Sequence, residues 1–196
     1  EQFEDAKSFF AARGFTASDS LANDMVRALA DWKPLPTPPS VVQNLQSLSI
    51  ELMPCKAELI PSLLEHIEAN YSDRWLRDTR SRLSTEQDPT EVIVAVEGGS
   101  SVVGFCHIYS TKSAVIGPSI YWRSLIGENY GGLGPIGVAK NRRKIGLGLE
   151  LLNFSITKVA ESGADRMVID WTNLVDFYGK AGFAVWKSYR SFAKTY

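Results

Sequence analysis

Apolar residues recur along this chain in two registers, and the register changes repeatedly. Residues 2 to 13 (QFEDAKSFFAAR) show the three-to-four spacing of a helix, closed by Gly14. A strand is expected around MVRALA within residues 15 to 32, and KPLPTPPS at 33 to 40 is proline-rich, the composition of a linker. A short helix over 41 to 47 and a strand over SIELMP follow. KAELIPSLLEHIEANY and RWLRDTRSRL have helical periodicity. EVIVAV and SVVGFCHIYS flank the glycine turn EGGS and predict a β-hairpin. Residues 110 to 132 form a long aromatic connection, and GPIGVA is a short strand. A helix runs from RKIGLG to about Glu161, RMVIDW is an apolar strand, LVDFYGKA a short helix and FAVWKSYR a last strand.

Strands that alternate with helices after an antiparallel hairpin predict an α/β fold, a mixed sheet covered by helices. One internal repeat stands out. FFAARGF at 9 to 15 and FYGKAGF at 177 to 183 share F-[FY]-x-x-x-G-F, each leading from a helix into a strand. Either the chain contains a duplication, or helix–Gly–Phe twice serves to turn a corner.

Composition narrows the classes. Of 196 residues, 44% are hydrophobic, the ordinary range for a globular chain, and the net charge of -1 supplies no field for non-specific nucleic-acid binding. No window approaches the ~20 apolar residues of a membrane helix. Cys55 and Cys106 are far apart, and His66 and His107 are the only histidines, so no zinc-ligand spacing exists. Two half-buried thiols suit a reducing, intracellular compartment. The sequons at Asn70 and Asn153 read as chance matches. A start at Glu1-Gln2 that passes at once into a helix leads us to expect a longer polypeptide.

The chemistry concentrates in RKIGLG. Glycine costs a helix interior about 1 kcal/mol relative to alanine, so two at a helix start call for a reason. The first turn of a helix leaves N–H groups unpaired and favours an anion. Gly146 and Gly148 would let a phosphate approach, with Arg143 and Lys144 on the rim. The competing reading is that the glycines only allow tight packing. The P-loop spacing and the third glycine of GxGxxG are both absent.

Val138, Arg143, Gly146 and Gly148, read as V-x5-R-x-x-G-x-G, resemble the pyrophosphate-binding motif of the GNAT superfamily of acyl-CoA N-acyltransferases. DFYGKAGF at 176 to 183 resembles that superfamily's C-terminal motif. The resemblance implies a mostly antiparallel sheet flanked by helices, with splayed parallel strands near 133–139 and 166–171, over a domain of residues 48–196. GPIGVA and VIDWTNLVDFYGKAGF together look like the tandem acetyltransferase-like region fused behind family 3 glycoside hydrolase (β-N-acetylglucosaminidase-like) domains. On that likeness residues 1–32 are the tail of a preceding lobe, 33–47 a linker and short helix, and a glycoside-hydrolase-like domain shares the full-length chain.

What the resemblance implies for the site follows residue by residue. Acetyl-CoA would lie between GPIGVA and RMVIDW, with the backbone of Ile136 and Val138 along the pantetheine arm. Arg143, Lys144, Ile145, Gly146, Leu147 and Gly148 would hold the pyrophosphate, with Asn173 and Lys180 as neighbours. Tyr178 matches the tyrosine that serves the departing thiolate; the alternative is a buried aromatic with a satisfied hydroxyl. Many family members carry a glutamate on the strand before the glycines, where this chain has LGPIGV, and an asparagine where it has Trp171. Substitute bases are Asp170, which could equally cap the next helix, Glu128 and His107. The acceptor is expected to be a primary amine, of an amino sugar or a protein lysine. The aromatic residues Tyr71, Trp75, Tyr121, Trp122 and Tyr130 are available to stack on a sugar or to fill core. A second reading, favoured by the missing glutamate, is a silent lobe that binds CoA or a metabolite as a sensor.

Overall fold

The computed structural model describes residues 2–85 and 89–195. Seven strands form one sheet: β1 (Thr16–Ala28), β2 (Ile50–Pro54), β3 (Val92–Glu97), β4 (Ser101–Ser110), β5 (Tyr130–Val138), β6 (Arg166–Thr172) and β7 (Ala184–Ala193). Helices α1 (Gln2–Ala11), α2 (Pro39–Ser47), α3 (Ile60–Asn70), α4 (Asp73–Thr85), α5 (Arg123–Ile126), α6 (Leu147–Glu161) and α7 (Val175–Gly179) connect and cover it. The strand order is β2-β3-β4-β5-β6-β1-β7. β5 and β6 run parallel, and every other neighbouring pair is antiparallel. This is the mixed α/β sheet that the pattern predicts, and it is mostly antiparallel as the resemblance implies.

The centre of the sheet is buried on both faces, which explains the unbroken apolar run VIVAV. Ile93 and Ala95 pack with Leu147, Leu151, Leu152 and Ile156 of α6. Val92, Val94 and Val96 face the other way, onto Leu63 and Ile67 of α3 and Leu76 of α4. The hairpin is pinned to the turn ahead of α6 by Arg142, whose guanidinium donates to both carboxylate oxygens of Glu97 at 2.6 and 2.7 Å. That pairing holds Glu97 below the usual carboxylate range.

Two elements extend beyond their sequence boundaries. β1 begins at Thr16, well before MVRALA, because its first half is a half-exposed stretch paired only with β7 and so has no apolar face to betray it. β5 begins at Tyr130, which shortens the long connection; YGGLGPIG carries too few side chains to read as a strand, yet Gly131 and Gly132 pair with Ser110 and Tyr109 of β4.

Both halves of the F-[FY]-x-x-x-G-F repeat have the same local form. Gly14 and Gly182 each take positive φ, 77° and 79°, and lead into β1 and β7. Those two strands pair with each other from Thr16↔Ala193 to Val26↔Ala184, related as if by a two-fold axis. The proline-rich segment lies along α6: Asn153 exchanges hydrogen bonds with the backbone of Leu35 at 2.9 and 3.1 Å, and Thr37 donates to Glu150.

Tyr71, between α3 and α4, donates its hydroxyl to the Val138 carbonyl at 2.8 Å, and its ring occupies the space that a Cβ at Gly137 would need. Gly137→Ala is therefore expected to cost about 1–3 kcal/mol, the usual toll of overpacking. Urea unfolding would measure it, and the same substitution should cost less in a Tyr71→Ala background, where the ring is gone.

Candidate active site

The parallel ladder between β5 and β6 begins at Tyr130↔Arg166 and stops at Leu133↔Ile169. Pro135 follows, and proline has no N–H with which to continue a ladder. Beyond that point the two strands part. The Ala139 N–H donates to Val103 on β4 at 2.8 Å, so the carbonyl of Val138 in the same peptide points the other way, into the gap. The N–H of Val138 lies on the gap side too, and by alternation so does that of Ile136.

The gap opens into a cleft of about 800 Å³. Ile136, Asp170, Asn173 and Tyr178 line it, together with Trp75, Arg82, His107, Tyr121 and Trp171. Of the expected residues, Tyr178 is buried on α7 with its ring against Phe177 and Phe183. Burial first, then the charges of Cys106 and Asp170, push its hydroxyl well above the ordinary tyrosine value. Asp170, at the end of β6, is pushed up to about 6 by burial and then by the nearby Asp24, against a smaller opposing effect of Arg74.

The other two substitute bases fare differently. His107 donates or accepts at Thr79 (3.2 Å) and Tyr109 (3.4 Å), and burial followed by the Arg82 charge pushes it down to about 3. An imidazole of so low a basicity stays neutral near pH 7 and takes up no second proton. Glu128 is exposed, ion-paired to Arg123 at 2.9 Å, and is not brought to the cleft. Lys180 is exposed on the turn after α7.

At the far end of the gap, α6 starts with no side-chain cap. Lys144 (φ 65°) and Gly146 (φ 93°) are left-handed, which turns the chain sharply into the helix. Both readings of the glycines have a place here. A Cβ at Gly146 would meet Val41 of α2 at 2.5 Å, so this glycine is demanded by packing and by its φ. A Cβ at Gly148 would make only ordinary contacts, with Phe177 at 3.8 Å and Val138 at 3.9 Å, so packing does not demand this glycine. Ile145 and Leu147 point inward, while Arg143 and Lys144 are exposed, Arg143 with its Nε on the Val138 carbonyl at 3.2 Å. Among the five candidate stacking aromatics, Trp75 and Tyr121 line the cleft; Tyr130 is core, and its hydroxyl accepts from the Trp122 N–H.

Residues 60–183, which include the cleft and the α6 N-terminus, match the family model described as the acetyltransferase (GNAT) family. The chain is a member of the GNAT family. Its fold is likewise similar to solved GNAT structures. A GCN5-related glucosamine N-acetyltransferase region in a fungal multi-domain GH3 β-N-acetylglucosaminidase superposes with a TM-score of 0.85 at 24% identity, over 98% of this chain and 23% of that one. A GCN5-related N-acetyltransferase from Sphaerobacter thermophilus gives 0.66 at 20% identity, over 96% of this chain and 56% of that one. The NatC complex bound to Gag peptide and CoA gives 0.53 at 17% identity, over 75% of this chain and 99% of that one. This chain thus spans about a quarter of the first of these proteins and about half of the second. A search of curated proteins returns no significant match.

Sequence reasoning missed Asp24, which lies beside Asp170, because it sits on a strand whose polar half gave no pattern. It also missed Arg82, a buried cation that α4 carries among solvent-facing charges and that donates to Glu91 at 2.6 Å.

Asp170 carries a stability prediction with a definite sign. Its folded value, about 6, lies above the ordinary 3.8, so between those values the folded state binds more protons than the unfolded. Stability from this group is greatest in acid and falls as pH rises through about 6. Asp170→Asn, which removes the penalty, should raise Tm at pH 7 and change it little near pH 4, as measured by calorimetry at both pH values.

Proposed function

We propose that this GNAT domain transfers an acetyl group from acetyl-CoA directly to the primary amine of an amino sugar. The observation that carries the reading is Asp170: a carboxylate at the end of a splayed strand, in the cleft, ionised at neutral pH yet basic enough to take a proton. The residues present suit the cofactor. The gap between β5 and β6 has N–H groups directed into it, and Gly148, which packing does not demand, lies at an uncapped helix start beside Arg143 and Lys144.

Acetyl-CoA would supply an acetyl group activated as a thioester. The Ile136 and Val138 N–H groups would lie along the pantetheine arm, where a fixed donor can polarise a carbonyl. Arg143 to Gly148 would hold the pyrophosphate, and Asn173 would neighbour the cofactor in the cleft. Asp170 would take the proton of the acceptor ammonium and so free its lone pair. Tyr178 would offer its hydroxyl hydrogen to the departing sulfur. A thiol titrates near 8.5, well below this tyrosine, so the hydroxyl donates a hydrogen bond and keeps its proton.

An amino sugar is favoured over a protein lysine on two grounds. The cleft mixes aromatic faces (Trp75, Tyr121) with charged groups of both signs (Asp78, Asp170, Arg74, Arg82), a lining suited to a small polyhydroxylated amine. A lysine amine, near 10.4, is also the harder to deprotonate with a carboxylate near 6. The glucosamine activity named for the fungal region supports the same direction. By that likeness, residues 1–32 belong to a preceding acetyltransferase-like lobe on a longer, intracellular chain that also bears a glycoside-hydrolase-like domain. The absence of a carboxylate from β5 favours the second reading, a CoA-binding sensor lobe without turnover.

Assay with acetyl-CoA and glucosamine separates the readings. We expect turnover whose kcat/KM rises with pH through about 6, and a kcat at least about 10²-fold lower in Asp170→Asn. Transfer to lysine peptides alone would refute the acceptor, and no transfer to any amine would leave the sensor reading. Gly148→Asp should fold, since its Cβ meets only ordinary contacts, and lose the acetyl-CoA-induced thermal shift, since a carboxylate there repels the phosphate.

A further inference from the structure

Opposite the cleft, Asp24 of β1 is buried and is paired by no lysine or arginine among the described residues. Three donors serve its carboxylate instead. The Trp171 N–H donates to Oδ1 at 2.9 Å, while the Trp122 indole N–H (3.1 Å) and the Tyr189 hydroxyl (2.7 Å) donate to Oδ2. The register of β1 on β6 passes from Asn23↔Thr172 to Met25↔Ile169. Asp170 and Trp171 therefore stand together against Asp24, two residues against one, which is a β-bulge. Trp171 is left-handed there (φ 48°), a conformation that a bulky aromatic adopts only when its surroundings impose it.

We propose that Asp24 is a positioning residue for Asp170: its carboxylate holds the bulge that presents Asp170 to the cleft. The carboxylate so placed also adds to the effect of burial in holding Asp170 above the usual carboxylate range. The inference rests on Asp170 being the base proposed above. β1 thereby contributes to catalysis without lining the cleft. The charge arises where the site needs it, because a carboxylate held by three neutral donors is stabilised but not neutralised. The other titratable groups about Asp170 are Arg74 on α4, Tyr178 on α7 and Tyr189 on β7, with Asp78, Arg82 and His107 farther along the cleft wall. Of the two that act directly on its proton affinity, Arg74 opposes Asp24.

The test is a carbon-13 NMR titration of the Asp170 carboxyl in the wild type and in Asp24→Asn, with the signal assigned by its loss in Asp170→Asn. Asp24→Asn should lower the Asp170 midpoint by at least roughly half a pH unit, as removal of a nearby like charge requires. The acid limb of kcat/KM should follow it. An unmoved carboxyl midpoint would overturn the inference whatever the rate does. A midpoint that falls while the acid limb stays would leave the coupling standing and sink the reading of Asp170 as base. Tyr189→Phe keeps the charge and removes one donor, so its Asp170 midpoint should stay at or above the wild-type value. A fall in that variant would mark a general packing effect and overturn the proposal, even where Asp24→Asn does not fold.

Discussion

Two parallel strands that stop pairing at Leu133 and Ile169 set the terms for everything around them. Backbone groups in the middle of a sheet normally satisfy one another, and the loss of a partner in a buried place is costly. Here the gap faces a cleft, so the N–H groups of Ile136 and Val138 remain available to a ligand. The Val138 carbonyl, which would otherwise lack a partner, is served by Tyr71 and Arg143. The residues that create the opening are thus distinct from those that make it tolerable, and Pro135 belongs to the first group.

A sheet opened in this way needs support on its far side, and β1 supplies it. It pairs with β6 along one edge and with β7 along the other, and Arg27 at its end donates to the Ala181 carbonyl beside α7. The carboxylate of Asp24 then fixes the backbone at Trp171, immediately after Asp170. The same strand that braces β6 against collapse shapes the bulge on which the candidate base stands. Fold stability and site geometry here share residues: the three donors that let the Asp24 carboxylate persist in the core also fix the bulge.

Most of the architecture is legible in the sequence because apolar spacing reports burial directly. VIVAV, the α6 face and RMVI have strong periods, and each forms the expected element. The boundaries that escape are those where the physics leaves no pattern: the half-exposed start of β1 and the glycine-rich start of β5. At the candidate site, only the three-dimensional contacts separate the two glycines of RKIGLG: Gly146 is fixed by Val41, whereas packing does not demand Gly148. Asp170 and Tyr178 are found because they lie within recognisable motifs and both reach the cleft. Glu128 is equally acidic in sequence, but its pairing with Arg123 on the surface comes from a chain path that spacing does not encode. Asp24 could not be found at all, since its partner is 147 residues away.

The central claim is that the splay between β5 and β6 holds CoA with Asp170 and Tyr178 at its reacting end. A crystal structure of the protein with CoA and glucosamine tests it most directly. The account predicts the pyrophosphate against the α6 N-terminus at Gly148, the sulfur within hydrogen-bonding reach of the Tyr178 hydroxyl, and the sugar amine facing the Asp170 carboxylate. CoA bound outside the splay, or a sugar amine turned away from Asp170, would contradict it.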